Sequence, residues 1–171
     1  MEKLTTSQVA LKWGAILGVI SIVITTVLYV TGLWKNTWIS SASLVIGIVA
    51  LVLAMKEYKE AHQGFMSFGQ GVTIGFTTMT ISGLLGALYQ TVYTQFIDTT
   101  IPEQIKDMQI EAFEKQGMSD EMIEQSLESM SAFSSPGVTF LFAVLGSMFI
   151  GLILALIISA VMKKNKPAMD F

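Results

Sequence analysis

Residues 138–162 read VTFLFAVLGSMFIGLILALIISAVM, 25 positions without a charged side chain. A hydrocarbon core about 30 Å thick is crossed by about 20 apolar residues in a helix, so this stretch predicts a membrane span. Lipid forces the span to be helical, because an isolated strand would leave its backbone N–H and C=O groups without partners. Working outward, the same test finds three more spans. Stretches 13–33 and 38–55 are uncharged, and 72–93 is the most apolar part of a longer uncharged run, 63–97. The first is not read as a cleaved secretory signal, since its apolar region exceeds the ~7–15 residues typical of one. No small-x-small cleavage pattern follows Leu33 either. The fold class expected is all-α: an integral membrane four-helix bundle, a single domain over 1–171.

The composition of the 171-residue chain agrees, with 52% hydrophobic and 13% charged residues and a mean hydropathy of +0.62. Soluble domains carry about 25% charged residues, so a soluble globule is excluded. Disorder is excluded too, because it requires low hydrophobicity and high charge. The absence of cysteine removes disulfides, thiolate metal sites and cysteine nucleophiles. The sequence contains no phosphate-binding loop, metal-ligand pair, nucleophile elbow or nucleic-acid signature. No cofactor, metal or nucleic-acid partner is therefore expected, and no enzyme.

All ten basic residues are lysines, and their placement predicts orientation. Lys3 and Lys12 precede the first span, Lys56 and Lys59 follow the second, and Lys163, Lys164 and Lys166 follow the fourth. Only Lys35, Lys106 and Lys115 fall on the other side. Lysine-rich flanks mark the cytoplasmic face, so both termini are expected in the cytoplasm. Trp13 and Tyr58 then fall at the inner interface, and Trp34, Trp38, Tyr89 and Tyr93 at the outer one, as aromatic belts require.

Between the third and fourth spans, residues 94–136 hold nine of the thirteen acids and two lysines, a net charge of −7. Thr100 and Pro102 signal a helix start, and Ile101, Ile105, Met108, Ala112 and Phe113 recur at helical spacing. Gly117 reads as its stop, with Lys115 complementing the dipole in the last turn. Ser119, Asp120 and Glu121 then begin a second helix whose apolar stripe is Ile123, Leu127 and Met130. Ser134, Ser135, Pro136 and Gly137 are read as the break before the fourth span. The expectation is an extracytoplasmic amphipathic helical hairpin over about 100–133. Ile105, Met108, Phe113, Ile123, Leu127 and Met130 are its candidate partner-binding residues, although such stripes usually pack within their own protein. Glu103, Asp107, Glu111 and Glu114 share one face, which reads as a solvated surface in the absence of a dedicated cation loop.

Small residues recur every fourth position within the spans, which lets helices approach closely where lipid supplies no hydrophobic contrast. The candidate packing residues are Gly14, Gly18, Gly71, Gly75, Gly83, Ser147, Gly151 and Ala155. They serve packing within one bundle or, as the second reading, a homodimer. The fourth span has the longest stripe and is expected to be central. No ionisable residue lies mid-span, which argues against a proton-coupled carrier or ion pump. His62, the only histidine, stands among charged neighbours and reads as solvated.

Several short motifs together resemble a known family. They are Lys12-Trp13-Gly14 after a polar start, Gly64-Phe65-Met66-Ser67-Phe68-Gly69 entering the third span, and Phe96-Ile97-Asp98. Gly117-Met118-Ser119-Asp120-Glu121 and Ser135-Pro136 ahead of Gly151-Leu152-Ile153 complete the set. The chain resembles a bacterial membrane family known as domain of unknown function 4199 over nearly its whole length. The resemblance implies a four-span protein of the cytoplasmic (inner) membrane in a Gram-negative cell, with the acidic segment in the periplasm, and it supplies no activity. The function expected is a non-enzymatic accessory or assembly component of the cell envelope, with a membrane or periplasmic protein partner. The alternative is a channel or carrier for small neutral solutes lined by the hydroxyls of 73–82. A lipid-modifying enzyme using His62 or the outer carboxylates ranks last.

Overall fold

The computed structural model describes residues 4–131 and 133–166. Lys3, counted above among the basic residues, and Ala132, inside the expected hairpin, lie outside the described residues. The chain is all-α: α1 (Thr6–Thr31), α2 (Thr37–Ala61), α3 (Phe68–Val92), α4 (Ile101–Lys115), α5 (Asp120–Ser131) and α6 (Pro136–Met162). A 3₁₀ turn, Leu33–Lys35, links α1 to α2, and a π turn, Tyr93–Ile97, prolongs α3. Among the described residues, four helices are long and apolar enough to cross a membrane: α1, α2 from Ser41, α3 with its π turn, and α6.

Helix ends follow local chemistry. Thr5 caps α1 in a reciprocal box with Gln8, so the helix starts at Thr6, about two turns before the apolar run. Gly32, at φ +70°, ends it in the left-handed conformation that glycine adopts without a Cβ penalty. Asn36 caps α2 through its side chain. Ser67 and Gln70 bond each other's backbone N–H at 3.3 and 2.8 Å, starting α3 at Phe68 rather than near 72. Pro136 does not break the chain before the fourth span. It is the first residue of α6, where its fixed φ suits a helix and its missing N–H is not needed.

Contacts divide the chain, read above as one domain, into two compact units. One comprises the described residues up to Gly86 and from Val144 onward, and the other is Ala87–Ala143. The first unit buries Val9, Leu51, Met55, Tyr58, Met66, Ile74 and Ile158 in one cluster. In this unit α3 packs against both α6 and α1. Gly71, Gly75 and Gly83 face Ser159, Ala155 and Ser147 of α6, while Thr78 and Ile81 face Gly14 of α1.

Candidate functional site

The second unit is built from the end of α3, the hairpin and the first turns of α6. In α4, Pro102 stands in the first turn, and the Asp98 carboxylate accepts from Thr100 N–H at 3.1 Å and from its hydroxyl at 2.6 Å. Gly117, at φ +76°, closes the helix. Met118 N–H donates to the Phe113 carbonyl at 3.2 Å and Gly117 N–H to that of Glu114 at 2.9 Å, the six-to-one pattern that satisfies terminal carbonyls. α5 follows at once, with Ile123 N–H on the Ser119 carbonyl.

This unit forms a half-open cavity of about 1220 Å³, above the ~300–1,000 Å³ usual for small-molecule pockets. Ile105 and Ile110 of α4 line it, with Ile123, Leu127 and Met130 of α5 and the rings of Phe133, Phe140 and Phe142. Phe133 and Phe142 meet edge to face at 6.2 Å. Gln90, Thr91 and Thr94 add polar groups from α3 and its π turn, but Thr91 and Thr94 already donate to the carbonyls of Ala87 and Gln90. Of the six candidate partner-binding residues, the structure brings Ile105, Ile123, Leu127 and Met130 to this cavity, while Met108 and Phe113 do not line it. Ile123 is buried, Ile105, Phe113 and Leu127 are half-buried, and Met108 and Met130 are exposed. Ile110 lines the cavity without having been singled out. It stands five residues after Ile105, off the spacing followed, and an apolar arc wide enough for a buried helix face would have included it.

The cavity's charged lining is Lys106 with Glu114, Asp120, Glu124 and Glu128. Asp120, Glu124 and Glu128 follow one another at i, i+4 and i+8, and like-charge pairs at that spacing cost a helix ~0.2–0.5 kcal/mol each. Among the described residues none of these four acids forms an ion pair, whereas Glu111, which does not line the cavity, binds Lys115 at 2.7 Å. That bond to the Lys115 ammonium holds the Glu111 carboxyl below its ordinary value. Glu103, Asp107, Glu111 and Glu114 do not converge, and among the described residues no three acids or histidines could hold a metal ion.

The eight candidate packing residues all lie in the first unit. A Cβ on Gly75 would lie 2.7 Å from that of Ala155, one on Gly71 2.6 Å from Ser159 Oγ, and one on Gly14 2.8 Å from Ile81 Cβ. Gly18 abuts Leu85, Gly83 abuts Ser147 and Gly151 abuts Met79. Two hydroxyls of the 73–82 stretch turn to backbone carbonyls. Thr80 donates to the Phe76 carbonyl at 2.9 Å, and buried Thr78 reaches across to that of Ala10 at 3.5 Å.

A polar cluster in the first unit was not legible in the sequence. Lys12 Nζ binds both carboxylate oxygens of Glu57 at 2.8 and 3.0 Å, and Trp13 Nε1 donates to the same group at 2.7 Å. Nearby, Lys59 Nζ donates to the Met162 carbonyl at 3.0 Å, meeting the negative end of α6, and Met66 and Lys164 exchange backbone bonds. His62 stacks on Tyr58 at 4.1 Å, with Nδ1 2.9 Å from the Tyr58 carbonyl.

Neither a curated protein nor a solved structure matches the chain. Residues 12–164 match the profile of a family described as "Protein of unknown function (DUF4199)", and since the match spans most of the chain, the protein belongs to that family.

Proposed function

We propose that this protein is a non-enzymatic accessory or assembly component of the bacterial cell envelope, engaging a protein partner through the hairpin cavity. The carrying observation is the cavity itself, which gathers Ile105, Ile123, Leu127 and Met130 with three phenylalanines yet remains about 1220 Å³ in volume. A hairpin serving only as an intramolecular cap would close over its own apolar stripe. In this reading the protein resides in the inner membrane, in contact with the lipid bilayer. Both termini are cytoplasmic and the hairpin lies on the opposite, periplasmic face, as the seven lysines beside the termini and the second loop favour.

Homodimerisation through the small-residue faces has less support, because Gly14, Gly71, Gly75 and Gly151 already meet neighbouring helices of the same chain. A channel or carrier for small neutral solutes has less support as well, since Thr78 and Thr80 in the hydroxyl-rich stretch donate to backbone carbonyls.

The test is photo-cross-linking in native membranes. A photoreactive residue at Leu127 is expected to trap a discrete protein adduct, and one at Met108, outside the cavity, is not. Absence of an adduct from every lining position, together with an unchanged envelope phenotype on deleting 101–131, would overturn the proposal.

A further inference from the structure

We infer that the occupant of the hairpin cavity is a cationic amphipathic helix of the partner protein, seated by its apolar face and held by lysines or arginines against Asp120, Glu124 and Glu128. This rests on the proposed reading of the cavity as a partner site, and it names the partner's chemistry. The lining's charged residues are four acids and one lysine, a net charge of −3, so an anionic lipid headgroup or acidic peptide would be repelled. A neutral chain would fill the apolar floor and leave the acidic row as it is. Cations relieve that row, and α5 contains no lysine or arginine to do so. Geometry favours a helix as their carrier. Residues four apart rise about 6 Å along α5, and a neighbouring helix with lysines every fourth residue matches that spacing. Ile123, Leu127 and Met130 run beside the acidic row on the same helix and also line the cavity. The site thus offers an apolar strip and a parallel anionic strip, the complement of an apolar and cationic helix face, the helix-in-groove mode of recognition.

The full chain in phosphatidylcholine nanodiscs is titrated with a fluorescent 18-residue peptide of leucine and lysine at helical spacing, and with a twin bearing glutamate for lysine. Binding to empty nanodiscs is subtracted. Saturable binding of the lysine peptide that weakens with salt is expected, with none for the glutamate twin. The combined variant Asp120→Asn, Glu124→Gln, Glu128→Gln is expected to weaken binding at least tenfold with helicity retained. Lys106→Glu, which adds an acid to the lining without touching α5, is expected to tighten it several-fold and decides the matter if the triple variant does not fold. Equal binding of both peptides, or Lys106→Glu leaving affinity unchanged, overturns the inference and assigns the cavity to an uncharged apolar occupant. A Leu127 adduct in native membranes combined with failure of the lysine peptide leaves the partner site standing and removes only its cationic chemistry. Loss of both removes the two together.

Discussion

Gly75 shows how a single hydrogen atom decides the packing of α3. Its missing side chain admits the Cβ of Ala155, and an added Cβ would also lie 3.1 Å from the Ala155 Cα, backbone that cannot rotate away. Gly75→Ala is therefore expected to destabilise the protein by ~1–3 kcal/mol through overpacking, measured by unfolding in mixed micelles. Gly69→Ala, whose Cβ would meet nothing within 4 Å, is expected to change stability far less. The four-residue spacing made these glycines legible, because small residues recurring on one helix face have few other uses in lipid. The Lys12–Glu57–Trp13 cluster was not legible, because its partners stand 44 and 45 residues apart and no local pattern joins them. Both charges of the pair are partly exposed, so solvent screening limits it to the ~0.2–1 kcal/mol of an ordinary surface pair. A double-mutant cycle with Lys12→Met and Glu57→Gln is expected to return a coupling in that range. A coupling of zero would show that the bond to Trp13 alone holds Glu57 in place.

At the scale of elements, the four long helices were legible through their uncharged apolar runs and the two hairpin helices through their periodicity, and the termini less so. Thr5 with Gln8 and Ser67 with Gln70 form capping boxes, and the S/T-x-x-Q signature stands in both stretches, masked by the stronger signal of the apolar runs that follow. Pro136 was misread because proline breaks a helix interior and opens a helix first turn equally well. The cavity was not legible because it depends on how four segments converge. Gly117 separates α4 from α5, and an alanine there must hold φ near +76°. Gly117→Ala is thus expected to cost the hairpin ~1 kcal/mol, read as faster hydrogen exchange in α4 and α5 with α1 unchanged. In α4, Lys115→Met removes the cause that lowers the Glu111 carboxyl, so the Glu111 pKa is expected to rise toward 4.5 in a carboxyl-carbon NMR titration. Because the folded value is depressed, the pair's contribution is present above the ordinary carboxylate range and is lost as pH falls through the lowered value. At high salt the difference between wild type and variant should shrink, since the pair is exposed.

For the whole molecule, the net charge of −3 conceals a division: −7 on residues 94–136 and +4 on the remainder. Lysine placement is read by the insertion machinery near span ends, whereas acids contribute little to it, so the proposed orientation rests on the seven lysines and leaves the hairpin's acids to the proposed recognition. In the proposed orientation the termini are cytoplasmic and the segment between the third and fourth spans is periplasmic. The sequence contains no cysteine, so every introduced thiol is unique and reports its own side. In intact cells with a permeable outer membrane, Ser119→Cys in the hairpin turn is expected to react with a charged maleimide that cannot cross the inner membrane. His62→Cys, in the loop between α2 and α3, is expected to react only after that membrane is opened. Reversal of the two would invert the proposed orientation and expose the hairpin cavity to cytoplasmic partners. Labelling of both sites in intact cells would mean that the lysine asymmetry does not impose one orientation, the outcome in which Lys35, Lys106 and Lys115 balance the other seven.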